Sequence, residues 1–476
     1  MRVLFLCSEY EGLIKTGGLA DATRALAMAL QQEGVDVRVM LPRYGSLYGK
    51  PLAPYWQSVY LSLGGEPMGC AVRQLAGQEL PVYLLEHHQL FGRERPYDDG
   101  QHGYQDNSRR FSFFCKAALQ WCIEQDWTPD LIHGHDWQTG AAACYLKTLY
   151  RAALPNCRFV FTVHNGAYQQ PLSSQEVQAN ELSGLHPAVR PSLLAYGLSY
   201  TDKLVTVSQG YAAELLEEPA ANGLSQIYQQ RRQDFSGILN GVDDQIWDPA
   251  IDPYLTHHFS AAKLAGKALC KQQLHAQYQL PQADWPLYVA VSRLTSQKGY
   301  DYLIPALEQW LISASAYVVM MGTGESRYVE ALQRLASRYP EQVRFIHGFD
   351  EGLSHLLEAA GDFFLMPSLF EPCGLNQLYS LKYGTLPLVR ATGGLKDTVQ
   401  GLEQPAPTGI SFDAPTPDAL LQALNQAQQL YAQPKKFQQI RKRAMQQRFD
   451  WKTAAAAYLA LYQQLRECRT EQGLGG

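Results

Sequence analysis

Gly361-Asp362-Phe363-Phe364-Leu365-Met366-Pro367-Ser368-Leu369-Phe370-Glu371-Pro372-Cys373-Gly374-Leu375 begins the stretch, running on to Lys396, whose reading organises the whole chain. Asp362 to Pro367 is a short apolar run with the character of a buried strand. Ser368 to Gly374 breaks it with turn residues, and helical spacing resumes from Leu375 to Tyr383. A second unit of the same kind follows within one crossover length, where Leu386-Pro387-Leu388-Val389 ends in Arg390-Ala391-Thr392-Gly393-Gly394-Leu395. In an open α/β sheet such junctions lie at the carboxyl edge of the strands, where helix N-termini with unpaired N–H groups favour negative charge. A phosphate suits that position. Glu371 beside the turn would repel a phosphate and is suited instead to accept hydrogen bonds from sugar hydroxyls at a neighbouring subsite.

The same rhythm extends back through the second half of the chain. The strand Leu287 to Val291 opens into Ser292-Arg293-Leu294-Thr295-Ser296-Gln297-Lys298-Gly299, and a helix begins at Tyr300. Arg293 and Lys298 are two fixed cations at a strand edge, a pattern suited to a diphosphate that gains charge as its bond to a sugar breaks. Tyr317 to Met321 and Val343 to His347 each end in a glycine turn, the latter continuing into Phe349. An amphipathic helix from Asp450 to Leu465 closes the pattern, with Trp451, Ala455, Tyr458, Leu459 and Tyr462 on one face.

The first half has its own series. Val3 to Cys7 is a strand, Ser8 to Thr16 a loop, and Gly17-Gly18 opens a helix whose Leu19, Ala22, Leu26, Ala29 and Leu30 share a face until Gly34. The Gly-x-Gly-x-x-Gly dinucleotide fingerprint is absent, and Lys15 beside the helix start suits a diphosphate or sugar phosphate. Pro51 to His88 alternates as extra strands would, and Asn107 to Gln125 reads as a helix with Cys115 and Cys122 on its apolar side. Asp130 to His135 is a strand ending in Asp136-Trp137. His133 and His135 share a side of it, and no third ligand suggests itself, so a metal site is not expected. Arg158 to Val163 ends in His164-Asn165-Gly166. Ala167 to Pro191 is polar and irregular and reads as a loop over the crevice. Phe235 to Leu239 ends in Asn240-Gly241, and the helix breakers around Trp247-Asp248-Pro249 and Asp252-Pro253 mark a domain boundary.

Composition narrows the function. A chain of 476 residues, 46% hydrophobic and 18% charged, is globular and long enough for two domains. A net charge of -5 argues against nucleic acid as the main partner. The nine cysteines are scattered and odd in number, which points to neither a zinc site nor a disulfide framework and fits a reducing compartment. With no apolar run of about 18 residues, a cytoplasmic protein without a membrane partner is expected.

Seven motifs, in order, carry a resemblance: Lys15-Thr16-Gly17-Gly18-Leu19-Ala20-Asp21, His135-Asp136-Trp137, Val163-His164-Asn165, Leu239-Asn240-Gly241-Val242-Asp243, Ser292 to Gly299, Glu371-Pro372-Cys373-Gly374-Leu375 and Thr392-Gly393-Gly394-Leu395. Together they resemble the bacterial glycogen synthase and plant starch synthase family across nearly the whole chain. The resemblance implies a GT-B type α/β fold: two Rossmann-like domains facing a cleft, residues 1–245 on the acceptor side and 246–449 binding the nucleotide sugar, with the helix of 450–476 returning to the first domain. It also implies metal-independent, cofactor-free transfer of glucose from ADP-glucose to the non-reducing end of an α-1,4-glucan, with retention. The weaker alternatives are a UDP-glucose or small-acceptor transferase and a glucan-binding protein without chemistry.

Position by position, the resemblance assigns Lys15, Gly17 and Gly18 to phosphates and Asp21 to ordering the cleft. Asn240 falls among the nucleotide-sugar contacts, and Phe349 takes the place of an aromatic on adenine. Arg293 and Lys298 would neutralise the departing ADP. Glu371, Cys373 and Gly374 would surround the glucose, with Leu375 and Asn376 offering backbone N–H groups to the distal phosphate. His164 would lie near the reacting carbon, and Asp136 and Trp137 on the acceptor side. Three departures stand out. Glu11-Gly12 replaces an aromatic and Pro, which implies a looser phosphate loop. Asn376 and Ser380 replace Thr and a small residue. The segment 167–191 lacks an aromatic-rich acceptor stretch. Tyr379 stands where the wider retaining class carries a second Glu, so no nucleophile is assigned there.

Overall fold

A computed structural model describes the backbone of residues 1–473 and side chains through Glu467. The chain forms two compact units, one from Met1–Gly241 with the segment from Trp451, the other from Val242–Asp450. Each is built on a mainly or wholly parallel sheet, as continuous apolar runs alternating with helices require.

The first unit holds a nine-stranded sheet of β1 (Arg2–Leu6), β2 (Asp36–Pro42), β3 (Leu52–Leu63), β4 (Glu66–Leu75), β5 (Val82–Glu86), β6 (Leu131–His135), β7 (Arg158–Val163), β8 (Lys203–Thr206) and β9 (Phe235–Gly237). Their order across the sheet is β3-β4-β5-β2-β1-β6-β7-β8-β9. Only β4 pairs antiparallel, with β3 and with β5. The alternation seen between Pro51 and His88 is this edge extension: Val59 and Leu63 of β3 are buried while Trp56 and Tyr60 face outward. From β1 the chain moves to β2 on one side and later returns to β6 on the other. The crevice of such a doubly wound sheet opens where the direction reverses, here over the tips of β1 and β6.

The helix Gly18–Gln32 buries Leu19, Ala22, Leu26, Ala29 and Leu30, the face expected from their spacing. The helix Trp451–Gly473 packs against it. Ala455, Tyr458 and Tyr462 of that helix enter the core of the first unit. Tyr462 Oη is hydrogen-bonded to Nδ1 of buried His133 at 2.6 Å, and the other ring nitrogen, Nε2, lies 2.7 Å from Thr162 Oγ1. Cys115 and Cys122 are core residues, and the eight described cysteines are all free and buried.

The segment 167–191 departs from an irregular loop. Ser173 and Glu176 form a reciprocal capping box that starts a short helix, Ser174–Ala179. Ser108 Oγ also donates to Glu176 Oε1 at 2.7 Å, tying the segment to the helix Asn107–Ile123. The Ser-x-x-Glu signal is present in the sequence; low apolar content obscured it.

The second unit carries β10 (Leu287–Val291), β11 (Tyr317–Gly322), β12 (Val343–His347), β13 (Phe363–Met366), β14 (Leu386–Arg390) and β15 (Ile410–Phe412) in the order β12-β11-β10-β13-β14-β15. All pairs are parallel. Direction reverses between β10 and β13, which places the loops after those two strands over the crevice. The helix breakers around Trp247 are built into this unit. Trp247 is sandwiched between His355, at 3.7 Å between ring centroids, and Tyr379, at 3.8 Å. Asp252 is fully buried and accepts from Tyr383 Oη at 2.5 Å and from His355 Nδ1 at 2.7 Å.

Candidate active site

In the second unit the residues read from the central stretch come together around a cavity of about 200 Å³ lined by Ser292, Arg293, Lys298, Ser368, Glu371 and Asn376, among others. Lys298 Nζ donates to Glu371 Oε2 at 2.5 Å, and Ser368 Oγ donates to the same oxygen at 3.0 Å. Both charged side chains are largely buried. Glu371 Oε1 has no partner among the described residues and is not sealed from solvent. Arg293 is exposed on the cavity lining and makes no ion pair among the described residues.

The loops that carry these groups are held by backbone contacts that need glycine. Gly299 has φ +80°, and a Cβ there would lie 1.9 Å from the carbonyl oxygen of Pro367, so the loops after β10 and β13 touch through it. Leu369 N–H donates to Gln297 O at 2.8 Å across the same junction. The second glycine pair serves Glu371 directly: Gly394 N–H donates to Glu371 O at 3.0 Å, and a Cβ on Gly393, with φ +46°, would lie 2.1 Å from that oxygen.

Cys373 is buried beside these residues, and Gly374 adopts φ +72° just before the helix Asn376–Tyr383. Leu375 caps that helix without a side-chain hydrogen bond. Asn376 uses its side chain on the protein, Nδ2 donating to Val291 O at 2.6 Å at the tip of β10. Phe349 follows β12 and is exposed. Tyr379 is occupied by its stack on Trp247.

In the first unit the expected residues lie at the tips of β1, β6 and β7. Asp136 has φ +59°, a conformation rare outside glycine, and Oδ1 accepts from His164 N–H at 2.6 Å and Asn165 N–H at 3.3 Å. Burial pushes its carboxyl up to about 7, against the lowering effect of those two amides. His164 Nε2 is 3.0 Å from His135 Nδ1, and burial holds the His164 imidazole down at about 3, so it is neutral. Burial lowers His133 and His135 as well. Trp137 is buried, with its ring 5.0 Å from Phe111 and 6.0 Å from Tyr97. Asn240 is buried beyond β9.

The glycine turn differs in detail from the expectation. Lys15, Thr16, Gly17 and Gly18 are exposed, but Lys15 Nζ is paired with Asp21 Oδ1 at 2.6 Å. Gly17 N–H donates inward to Glu9 Oε2 at 3.2 Å, so that amide is engaged by the protein. Nor is the loop loose around Glu11-Gly12. Arg24 Nη1 donates to Glu11 Oε2 at 3.2 Å, Glu11 N–H donates to Ala20 O at 3.2 Å, and Tyr10 bridges Ile14. Glu9 was missed because nothing in its local sequence marks it; its partners come from two other segments.

Two α/β units carry charged loops at their switch points, and comparison with known proteins shows the class, a glycosyltransferase. Residues 2–230 match the starch synthase catalytic domain, and 272–447 match the glycosyl transferases group 1. The chain is 42% identical to a glycogen synthase of Aeromonas salmonicida, covering 97% of this chain and 98% of that one. It is also 42% identical to a glycogen synthase of Myxococcus xanthus, with 98% and 99% covered. The catalytic domain of starch synthase IV from Arabidopsis thaliana, bound to ADP and acarbose, superposes with a TM-score of 0.87 at 30% identity, covering 98% of this chain and 99% of that one. The chain belongs to the glycogen synthase and starch synthase family and is a glucosyltransferase of glycogen or starch synthesis.

Proposed function

We propose that the chain transfers glucose from ADP-glucose to the non-reducing end of an α-1,4-glucan, with retention and release of ADP. The observation that carries this reading is the buried Lys298–Glu371 pair beside Arg293, which makes no ion pair among the described residues, at one sheet's switch point. Breaking the sugar–phosphate bond builds negative charge on the leaving ADP, and fixed cations in a partly dry site stabilise that charge more than water does. Arg293 and Lys298 supply such cations, and the reading takes the transfer to need no metal or cofactor. The uncapped start of the helix Asn376–Tyr383 offers amides to the distal phosphate, and Lys15 with Gly18 contacts phosphate from the first unit.

Glu371 Oε1 accepts a hydrogen bond from a glucose hydroxyl, with Cys373 and Gly374 against the ring. His164, neutral, lies by the reacting carbon, and Asp136 and Trp137 face the acceptor. Retention follows from a front-face transfer: the acceptor hydroxyl bonds to the anomeric carbon as the phosphate leaves, and the leaving phosphate oxygen takes the hydroxyl proton. Phe349 stacks on adenine. The ADP in the starch synthase IV structure supports this choice of nucleotide. The glucan acceptor fits a cytoplasmic enzyme, and no helix among the described residues is long and apolar enough to cross a membrane.

Steady-state transfer to glycogen, measured with ADP-glucose and UDP-glucose side by side, tests the reading. Higher kcat/KM with ADP-glucose is expected. Preference for UDP-glucose would overturn the donor, and no glucan-dependent ADP release would overturn the chemistry.

A further inference from the structure

Glu9 is a carboxylate in the first unit that is only 3% exposed and, among the described residues, has no cation as its hydrogen-bond partner. Its Oε2 accepts from Thr16 N–H at 2.6 Å and Gly17 N–H at 3.2 Å. Its Oε1 accepts from Thr16 Oγ1 at 2.6 Å and Tyr97 Oη at 2.7 Å. Because the Tyr97 proton is directed to Glu9, Ser8 Oγ donates to Tyr97 Oη, at 2.6 Å. A carboxylate has about four lone-pair sites, and protein donors take all of them here. Glu9 therefore has no capacity left for a substrate. What it does have is a grip on the Thr16–Gly17 peptide, immediately before the helix Gly18–Gln32.

We infer that Glu9 is a positioning residue for the nucleotide sugar. Its carboxylate turns the Thr16 and Gly17 amides inward, so that Lys15 and the Gly18 end of the helix are presented outward to the donor's pyrophosphate. Gly17 is extended, at φ -164° and ψ -169°, and a Cβ built on it meets nothing within 4 Å, so the outer side of the turn is open. Without Glu9 the two amides lose their inward partner and the turn its fixed geometry. Tyr97 extends the grip to a second segment, whose ring also lies beside Trp137. The inference rests on the ADP-glucose reading above.

The test is steady-state kinetics of the full chain with ADP-glucose and glycogen varied separately. Charge-assisted hydrogen bonds of this kind make Glu9→Ala expected to raise KM for ADP-glucose at least about tenfold, while KM for glycogen stays within about twofold. Glu9→Gln keeps a carbonyl for the two amides and an NH2 for the two hydroxyls, which can reverse, and is expected to recover most of the loss. Thr16→Val removes only the hydroxyl contact and is expected to raise the donor KM about threefold. An unchanged donor KM in Glu9→Ala, equal rises for both substrates, or Glu9→Gln as impaired as Glu9→Ala would each overturn the inference. Should Glu9→Ala fail to fold, Thr16→Val with a wild-type donor KM overturns it. A wild type inert to ADP-glucose removes both this inference and the proposed function; an active wild type with an indifferent Glu9→Ala removes this one alone.

Discussion

Lys298 Nζ lies 2.5 Å from Glu371 Oε2, joining the loop after β10 to the loop after β13, and Ser368 Oγ shares the same oxygen at 3.0 Å. Each charge is the other's compensation for burial. Removing Lys298 alone, as Lys298→Ala, is expected to lower kcat about 100-fold or more, because a fixed cation on the leaving group is lost. The same change leaves Glu371 buried without its cation and is expected to cost about 3 kcal/mol of stability, read from the denaturant midpoint. The double variant Lys298→Met with Glu371→Gln is expected to regain stability without regaining turnover. Full turnover in either variant would remove these residues from the reaction.

Gly299→Ala tests the contact on which that pairing depends. The residue combines φ +80° with a Cβ position 1.9 Å from Pro367 O, so neither the backbone nor the neighbour can accommodate a methyl group. A loss of about 2 kcal/mol or more is expected in thermal unfolding, together with lower kcat. Gly17→Ala is a contrasting control for stability alone, since nothing lies within 4 Å of its Cβ and its φ is extended.

Tyr462→Phe tests the docking of the last helix. The change deletes one hydroxyl and leaves Nδ1 of buried His133 without its hydrogen-bond partner, at an expected cost of about 1–3 kcal/mol in chemical denaturation. An unaltered midpoint would show that the apolar packing of Ala455, Tyr458 and Leu461 holds the helix without this bond.

Glu358 sets an expected pH dependence in the second unit. It is buried, accepts from Ser380 Oγ at 2.7 Å, and burial pushes its carboxyl up to about 8 from an ordinary 4.5. Between those values the folded chain holds a proton that the unfolded chain has released. The stabilising contribution is therefore complete below about 4.5 and disappears as pH rises through about 8. Lys267, buried close by and itself held well below its usual range by desolvation, is present in both proteins compared. Glu358→Gln is expected to gain on the wild type as pH climbs from about 5 to about 8, by up to about 1.4 kcal/mol per pH unit, and to gain no more above that, in melting temperatures taken across that range. Parallel curves for the two proteins would contradict the assignment.

The departures from expectation share a cause. Trp247 reads as punctuation among Pro and Asp residues, yet its ring is enclosed between His355 and Tyr379, which come from helices more than a hundred residues later. Asn376 was expected to contribute its amide, and its side chain also ties the helix start to β10. Lys15 reads as a cation waiting for phosphate, and the fold gives it Asp21.

Local order along the chain was sufficient for the two parallel sheets and for placing Glu371, Arg293 and Lys298 at strand tips, since apolar periodicity and glycine turns act over a few residues, while the resemblance implied that the three share a site. Pairings across segments were decided by the tertiary structure alone. Glu9 with Thr16, Gly17 and Tyr97, His133 with Tyr462, and Trp247 with Tyr379 each depend on which buried polar or aromatic group needs a partner once distant strands and helices have packed, and that requirement leaves no mark on neighbouring sequence.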